Sequence, residues 1–161
     1  MMEIRRLVAE DDLGDLIALS RAFFDEYQAH HEAFFAIDEL GDEDITGYFS
    51  RTLGAEDGAT FVAIIDDQIV GYITIFVRTQ ASFFKVKRIG AISGLMVRQD
   101  RRRQGIGSKL LAEARAFCQE RGIEYYTVYT AMANEPAIGF YQRQDMKPLY
   151  VTFLGKMGMG R

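Results

Sequence analysis

The chain has 161 residues, a hydrophobic fraction of 48%, a formal net charge of −4 and one cysteine. That length argues for a single domain over 1–161 with one core, and the composition excludes a disordered chain. No apolar run approaches the roughly 20 residues that span a bilayer. The start, MMEIRR, lacks a signal-peptide core, and one cysteine forms no internal disulfide, so a cytoplasmic location is the expectation.

Residues 4–8 read as a short strand. Asp11 or Asp12 is placed to cap a helix in which Leu13, Leu16, Ile17, Ser20, Phe24 and Tyr27 recur at helical spacing. The period weakens over 30–41, where a loop or broken helix is expected. Asp42 or Asp44 can cap a second helix carrying Ile45, Tyr48, Phe49 and Leu53, ended by Gly54 and Gly58. Residues 60–65 and 69–77 are β-branched and aromatic, and Asp66, Asp67 and Gln68 between them suggest a hairpin. A strand over 89–97 follows, in which Gly90 and Gly94 point to a bulge or a close backbone approach. A long helix over about 105–121 buries Ile106, Leu110, Ala114, Phe117 and Cys118, with Gly122 at its C-cap. A strand over 123–130 completes a right-handed βαβ unit, so its two strands should be parallel. Asn134 caps a short helix with Pro136 in its first turn, and 149–157 should close the sheet. The sum is a mixed α/β sheet with helices on both faces.

The charges are segregated. Residues 22–50 contain no Lys or Arg but hold Asp25, Glu26, Glu32, Asp38, Glu39, Asp42, Glu43 and Asp44. Over 78–109 the sign reverses, with Asp100 the one carboxylate. Each block taken alone reads as a solvated face; together they suit one cationic and one anionic partner. Phe83 and Phe84 lie in the basic block, but the overall acidity argues against nucleic acid. His30 and His31 are adjacent and make a poor metal pair, no other metal-ligand spacing appears, and Cys118 falls on a buried stripe.

Arg102, Gly105 and Gly107 stand in the order Arg-x-x-Gly-x-Gly between a strand and a helix. Glycines let the backbone approach a ligand closely, and a helix start offers unpaired N–H groups and a positive dipole end. A phosphate or other polyanion fits there. A P-loop is excluded because Lys109 follows Ser108 rather than a glycine, and a dinucleotide fingerprint because its third glycine is Leu110. Downstream, Asn134, Ala137 and Tyr141 are spaced as Asn-x-x-Ala-x-x-x-Tyr.

In their order and separation the two motifs resemble the GNAT N-acetyltransferase superfamily, and the resemblance runs over 4–157. It implies an α/β fold of the α+β type: a mixed, mostly antiparallel central sheet with helices on both faces and one parallel, splayed strand pair. It implies acetyl coenzyme A as co-substrate and no metal. Arg102, Arg103, Gln104, Gly105, Ile106, Gly107 and Ser108 would hold the pyrophosphate, with Asn134 at the later cofactor motif. Leu95, Met96 and Val97 would pair with the pantetheine amides, and Tyr141 would protonate the leaving thiolate. Relatives often carry carboxylates in the strand before the loop; the corresponding Ser93 and Gly94 are neither acid nor base. Glu32, Asp38 and Glu43 are then candidates to receive a small cationic amine or to act as base, as is a water relay. Acetylation of a protein N-terminus or lysine is the alternative, a non-catalytic coenzyme A-binding domain another. No nucleic-acid or membrane partner is expected, and a homodimer is left open.

Overall fold

The computed structural model describes residues 1–158. The chain divides into two compact units, Met1–Ala131 and Met132–Arg161. The first unit contains β1 (Met2–Arg6), α1 (Gly14–Gln28), α2 (Asp42–Ser50), β2 (Gly58–Ile65), β3 (Gln68–Thr79), β4 (Arg88–Val97), a 3-10 turn (Gln99–Arg101), α3 (Ile106–Glu120) and β5 (Tyr126–Val128). The second holds α4 (Glu135–Arg143).

The sheet order is β1-β2-β3-β4-β5; β1 to β4 pair antiparallel, and β4 and β5 are parallel. The β2–β3 hairpin turns on Asp66 and Asp67 at φ 51° and 62°, the two positive values a type I′ turn demands. On one face Leu16 and Leu19 of α1 and Ile45 and Phe49 of α2 pack with Val62, Tyr72 and Met96. On the other, α3 lies so close that a Cβ on Gly71 would touch Leu110 and Ile106. Side chains alternate across a strand, so Gly71 and Tyr72 report the two faces.

β4 carries a one-residue bulge. Thr74 faces Gly94 and Ile75 faces Ile92, leaving Ser93 as the extra residue. Such an insertion switches the side to which every later residue points. Before it, Gly90 faces Cys118 of α3; after it, Gly94 faces Tyr72 and Tyr48, and Met96 joins the α1–α2 core. The irregularity expected from Gly90 and Gly94 is thus two separate features, a close helix approach and a bulge.

Several local expectations are corrected. α1 is preceded by Leu13 with no side-chain cap; Asp12 instead accepts from the Gly14 amide, and Asp11 from Val8 and Arg5. The residue before α2 is Gly41, whose amide donates to Asp44. The strand expected over 123–130 contracts to Tyr126–Val128. Residues 149–157 form no strand, and Tyr150 and Phe153 stand 78% and 90% exposed. An apolar segment becomes a strand only when a neighbour's backbone completes the ladder, and composition does not supply that neighbour.

Candidate active site

The loop expected to take a polyanion is built from two left-handed residues. Arg103 has φ 64° and Gly105 φ 80°, and α3 starts at Ile106. Lys109 donates to the Gly105 carbonyl at 3.1 Å, while Ile106 and Gly107, in the first turn, lie ahead of any intrahelical acceptor. Ile106 is buried and ties the loop to the core. The neighbouring arginines diverge. Arg101 leans toward Asp66 at 4.0 Å. Arg102 donates through Nε to the Val97 carbonyl at 2.9 Å and through Nη2 to Glu26 at 2.7 Å. Arg103 is exposed and makes no ion pair among the described residues. Orphan amides and a dipole end thus meet in a loop of a kind that can take a diphosphate, with the exposed Arg103 among its residues.

Beside the loop, β4 runs on without its parallel neighbour. Pairing with β5 ends at Ile92 and Val128, whereas β4 continues to Val97. Arg98 donates to Val70 of β3 at 2.7 Å. Since the ladder alternates, Gly94 and Met96 also turn their backbones to β3, and Leu95 and Val97 turn theirs to the open side. Arg102 covers the Val97 carbonyl there. Leu95 offers both groups and Val97 its amide, an edge suited to an extended amide-bearing ligand. Met96 stands apart from these two, with its amide toward β3 and its side chain in the core.

At the bulge the Ser93 hydroxyl is exposed and bonds the Tyr48 phenol of α2. Burial pushes the Tyr48 phenol up, and the hydroxyls of Ser93 and Thr74 partly offset it. Gly94 makes the room: a Cβ there would lie 3.5 Å from the Tyr48 oxygen. Behind Tyr48 stand three buried threonines, Thr74, Thr60 and Thr52, linked at 2.8 and 2.9 Å. Sequence reasoning placed Tyr48 on an apolar helix face and passed over the threonines. The available signal was polar Thr60 and Thr74 at inward-facing strand positions.

The acidic segment is less uniform than its composition suggests. Glu26 pairs with Arg102, Asp42 with Arg21, and Asp44 holds the Gly41 amide. Glu32 and Asp38 lie in the loop after α1, Glu43 in the first turn of α2; all three are exposed and outside any ion pair among the described residues. Cys118 is buried and its thiol is pushed up by that burial, as an inert core thiol should be. The His31 Nδ1 accepts from the Phe34 amide at 3.0 Å.

In the second unit, Asn134 caps α4 by accepting from the Ala137 amide at 3.2 Å. Tyr141 sits on α4, its ring edge-on to Phe140 at 5.2 Å, and burial pushes its phenol up to about 12. It is therefore protonated at neutral pH. Asp145 adopts φ 64°, with Met146 donating to the Tyr141 carbonyl and Asp145 to that of Gln142. This is the left-handed C-cap in which glycine is usual, and Asp145 performs it.

The chain is similar to known proteins along most of its length. The pattern of the acetyltransferase (GNAT) family matches residues 13–146. An uncharacterized N-acetyltransferase of Archaeoglobus fulgidus is 30% identical over 146 residues, covering 91% of this chain and 93% of that protein. An N-alpha-acetyltransferase of Saccharolobus solfataricus is 25% identical over 148 residues, 88% of this chain and 78% of that protein. The fold is similar to that of the aminoglycoside N-acetyltransferase AAC(6')-Iy in complex with CoA, with a TM-score of 0.78, 17% identity and coverage of 98% and 95%. A family pattern matched along most of the chain, on a mixed sheet with one parallel pair, settles its place: the chain belongs to the GNAT family and is an N-acetyltransferase.

Proposed function

We propose that residues 1–161 act as one domain that transfers acetyl from acetyl coenzyme A directly to a small cationic amine. The observation that carries the reading is the left-handed loop at the start of α3 beside the unpaired edge of β4. The amides of 103–108, the Gln104 side chain and the Arg103 guanidinium hold the diphosphate, with Arg102 bracing the loop through Val97 and Glu26. Leu95 and Val97 take the pantetheine amides, and a β4 amide receives the developing oxyanion. Asn134 shapes the start of α4, and Tyr141, a phenol that stays protonated, donates to the leaving thiolate. Similarity to an aminoglycoside N-acetyltransferase supports a small amine acceptor. Glu32, Asp38 and Glu43 would attract it. The same reading takes the enzyme as cytoplasmic and metal-free, with no nucleic-acid or membrane partner and a homodimer as the assembly to test.

A second reading, acetylation of a protein N-terminus, is favoured by the similarity to the Saccharolobus solfataricus N-alpha-acetyltransferase. One experiment separates the two: coenzyme A thiol release with polyamines, aminoglycosides, neutral amines and peptides, at low and moderate salt. Small cationic acceptors should lead, with KM rising as salt screens attraction beyond about 8 Å. Glu32→Gln/Asp38→Asn/Glu43→Gln should raise KM at low salt. A leading peptide or anionic acceptor, or a KM indifferent to both salt and the triple substitution, refutes the cationic small-amine reading.

A further inference from the structure

β4 and β5 part at the bulge, and three tyrosines border the fork. Their pairing ends at Ile92 and Val128, so Ser93 and Tyr129 are the first residues of the two branches. Gly90 and Tyr126 are paired on the α3 side, where Gly90 faces Cys118 and Arg115 donates to the Tyr126 phenol at 2.7 Å. Side chains alternate along a strand, so Val128 shares that side and Tyr129 points to the other, the face that carries α1 and α2. Tyr48 of α2 reaches the same fork through its bond to Ser93. Tyr27, in the last turn of α1, completes the set: burial pushes the phenols of Tyr27 and Tyr48 up, and the nearby Tyr129 phenol adds to the rise in both.

The three rings differ in what already covers them. Tyr27 packs on Phe35 and Phe23, at centroid distances of 4.4 and 5.9 Å. Tyr48 stands edge-on to Phe49 at 5.0 Å, and the Arg51 guanidinium already acts on it. Tyr129 is 78% exposed and makes no ring contact or side-chain hydrogen bond among the described residues. An aromatic face open to solvent attracts a cation through the ring quadrupole. The segments that bring Tyr27 and Tyr48 to the fork lie within 22–50, which holds eight carboxylates and no Lys or Arg. A cation is the partner that both the open ring and that charge favour.

We propose that Tyr129 is a specificity-determining residue: its open ring face holds a second, non-reacting cationic group of the acceptor while the amine is presented at the fork. This rests on the acetyltransferase reading above, in which a cofactor that starts at α3 and runs along Val97 and Leu95 brings its thioester toward Ser93. The carboxylates draw a cation in from a distance, and the ring recognises it at contact. A quaternary ammonium has no N–H to donate, yet a ring face holds it; a neutral group of the same shape gains nothing from the quadrupole. Tyr129 therefore separates acceptors of equal size by their charge.

The test compares two primary amines with saturating acetyl coenzyme A. One is an aminopropyl chain ending in trimethylammonium; the other ends in the neutral isostere, tert-butyl. Both are assayed at about 1 M salt, where charges are screened beyond about 3 Å and distant carboxylates lose their pull. The amines' own difference in basicity cancels between variant and wild type. Tyr129→Leu should lower the ratio of the two kcat/KM values, ammonium over neutral, roughly 2- to 5-fold, the worth of one cation–π contact at an exposed site. Tyr129→Phe, which keeps the ring, should hold the wild-type ratio. Turnover of the neutral amine, acetyl coenzyme A affinity and Tm should stay unchanged in both variants. An unchanged ratio in Tyr129→Leu, an equal loss in Tyr129→Phe, or turnover of other amines but of neither probe overturns the proposal. Binding of acetyl coenzyme A with no turnover of any amine overturns the acetyltransferase reading itself.

Discussion

Gly90 is where α3 comes closest to the sheet, and Gly90→Ala tests whether that approach is as tight as the geometry requires. An added Cβ would lie 2.5 Å from the Cys118 sulfur, 3.0 Å from Ile75 Cδ1 and 3.3 Å from Tyr126 Cβ. Comfortable carbon contacts begin near 3.5 Å, so the sulfur must move by about 1 Å. Cys118 is buried on α3, where few χ1 wells are open, so part of the strain reaches the helix. Overpacking of this kind costs about 1–3 kcal/mol, offset by the roughly 0.5–1 kcal/mol that alanine gains over glycine within a strand. The net, about 1–2 kcal/mol, should lower Tm by roughly 2–8 °C at this length. Cys118→Ala removes the sulfur at a cost of about 1 kcal/mol, comparable to other small core deletions. In the double variant the two losses should fall short of their sum by about 1 kcal/mol, measured by urea unfolding in a double-mutant cycle. Full relief is not expected, because Ile75 and Tyr126 remain. Wild-type stability of Gly90→Ala, or strict additivity with Cys118→Ala, would refute the packing argument.

Gly105→Ala meets no atom within 4 Å, so its cost is the left-handed backbone alone, about 1–2 kcal/mol, and Cys118→Ala should not relieve it in urea unfolding. Tyr141→Phe keeps the ring and removes the donor; kcat should drop roughly 10²- to 10⁴-fold with acetyl coenzyme A affinity unchanged by calorimetry, and an unchanged kcat with chemistry limiting would remove Tyr141 from the mechanism. Arg5 bonds both oxygens of Asp11 at 2.7 and 2.9 Å and holds its carboxyl below the usual range. A depressed folded value stabilises fully above the ordinary carboxylate pKa of about 3.9 and is lost as pH falls through the folded value. Asp11→Asn should thus cost about 1 kcal/mol at pH 7, after allowance for the partly exposed Arg5, and progressively less as pH falls below the ordinary carboxylate value; a cost that does not shrink with acidification would contradict the pairing.

By itself the sequence determined what depends on near neighbours. The stripe from Ile106 to Cys118 settled α3 and its buried face, because a 3.6-residue period is a property of consecutive residues. Asp66-Asp67 settled the hairpin, Asn134 and Pro136 the start of α4, and Asp145 its left-handed end. The Arg102 to Gly107 loop was legible for the same reason, since its turn and the helix start are local. What only the tertiary structure decided was pairing across distance. Whether 149–157 joins the sheet depends on a neighbouring backbone, and Leu149 and Phe153 read as strand residues whether or not one is there. That Ser93 is the inserted residue follows from the register of β4 against β3, and its step from one face to the other cannot be seen in β4 alone. That Arg102 of the loop pairs with Glu26, far back on α1, is likewise set by distance in space. The Tyr48–Ser93 bond and the linked hydroxyls of Thr52, Thr60 and Thr74 form only when α2 is laid across the sheet, because hydrogen bonds follow distances in space that a linear chain does not record.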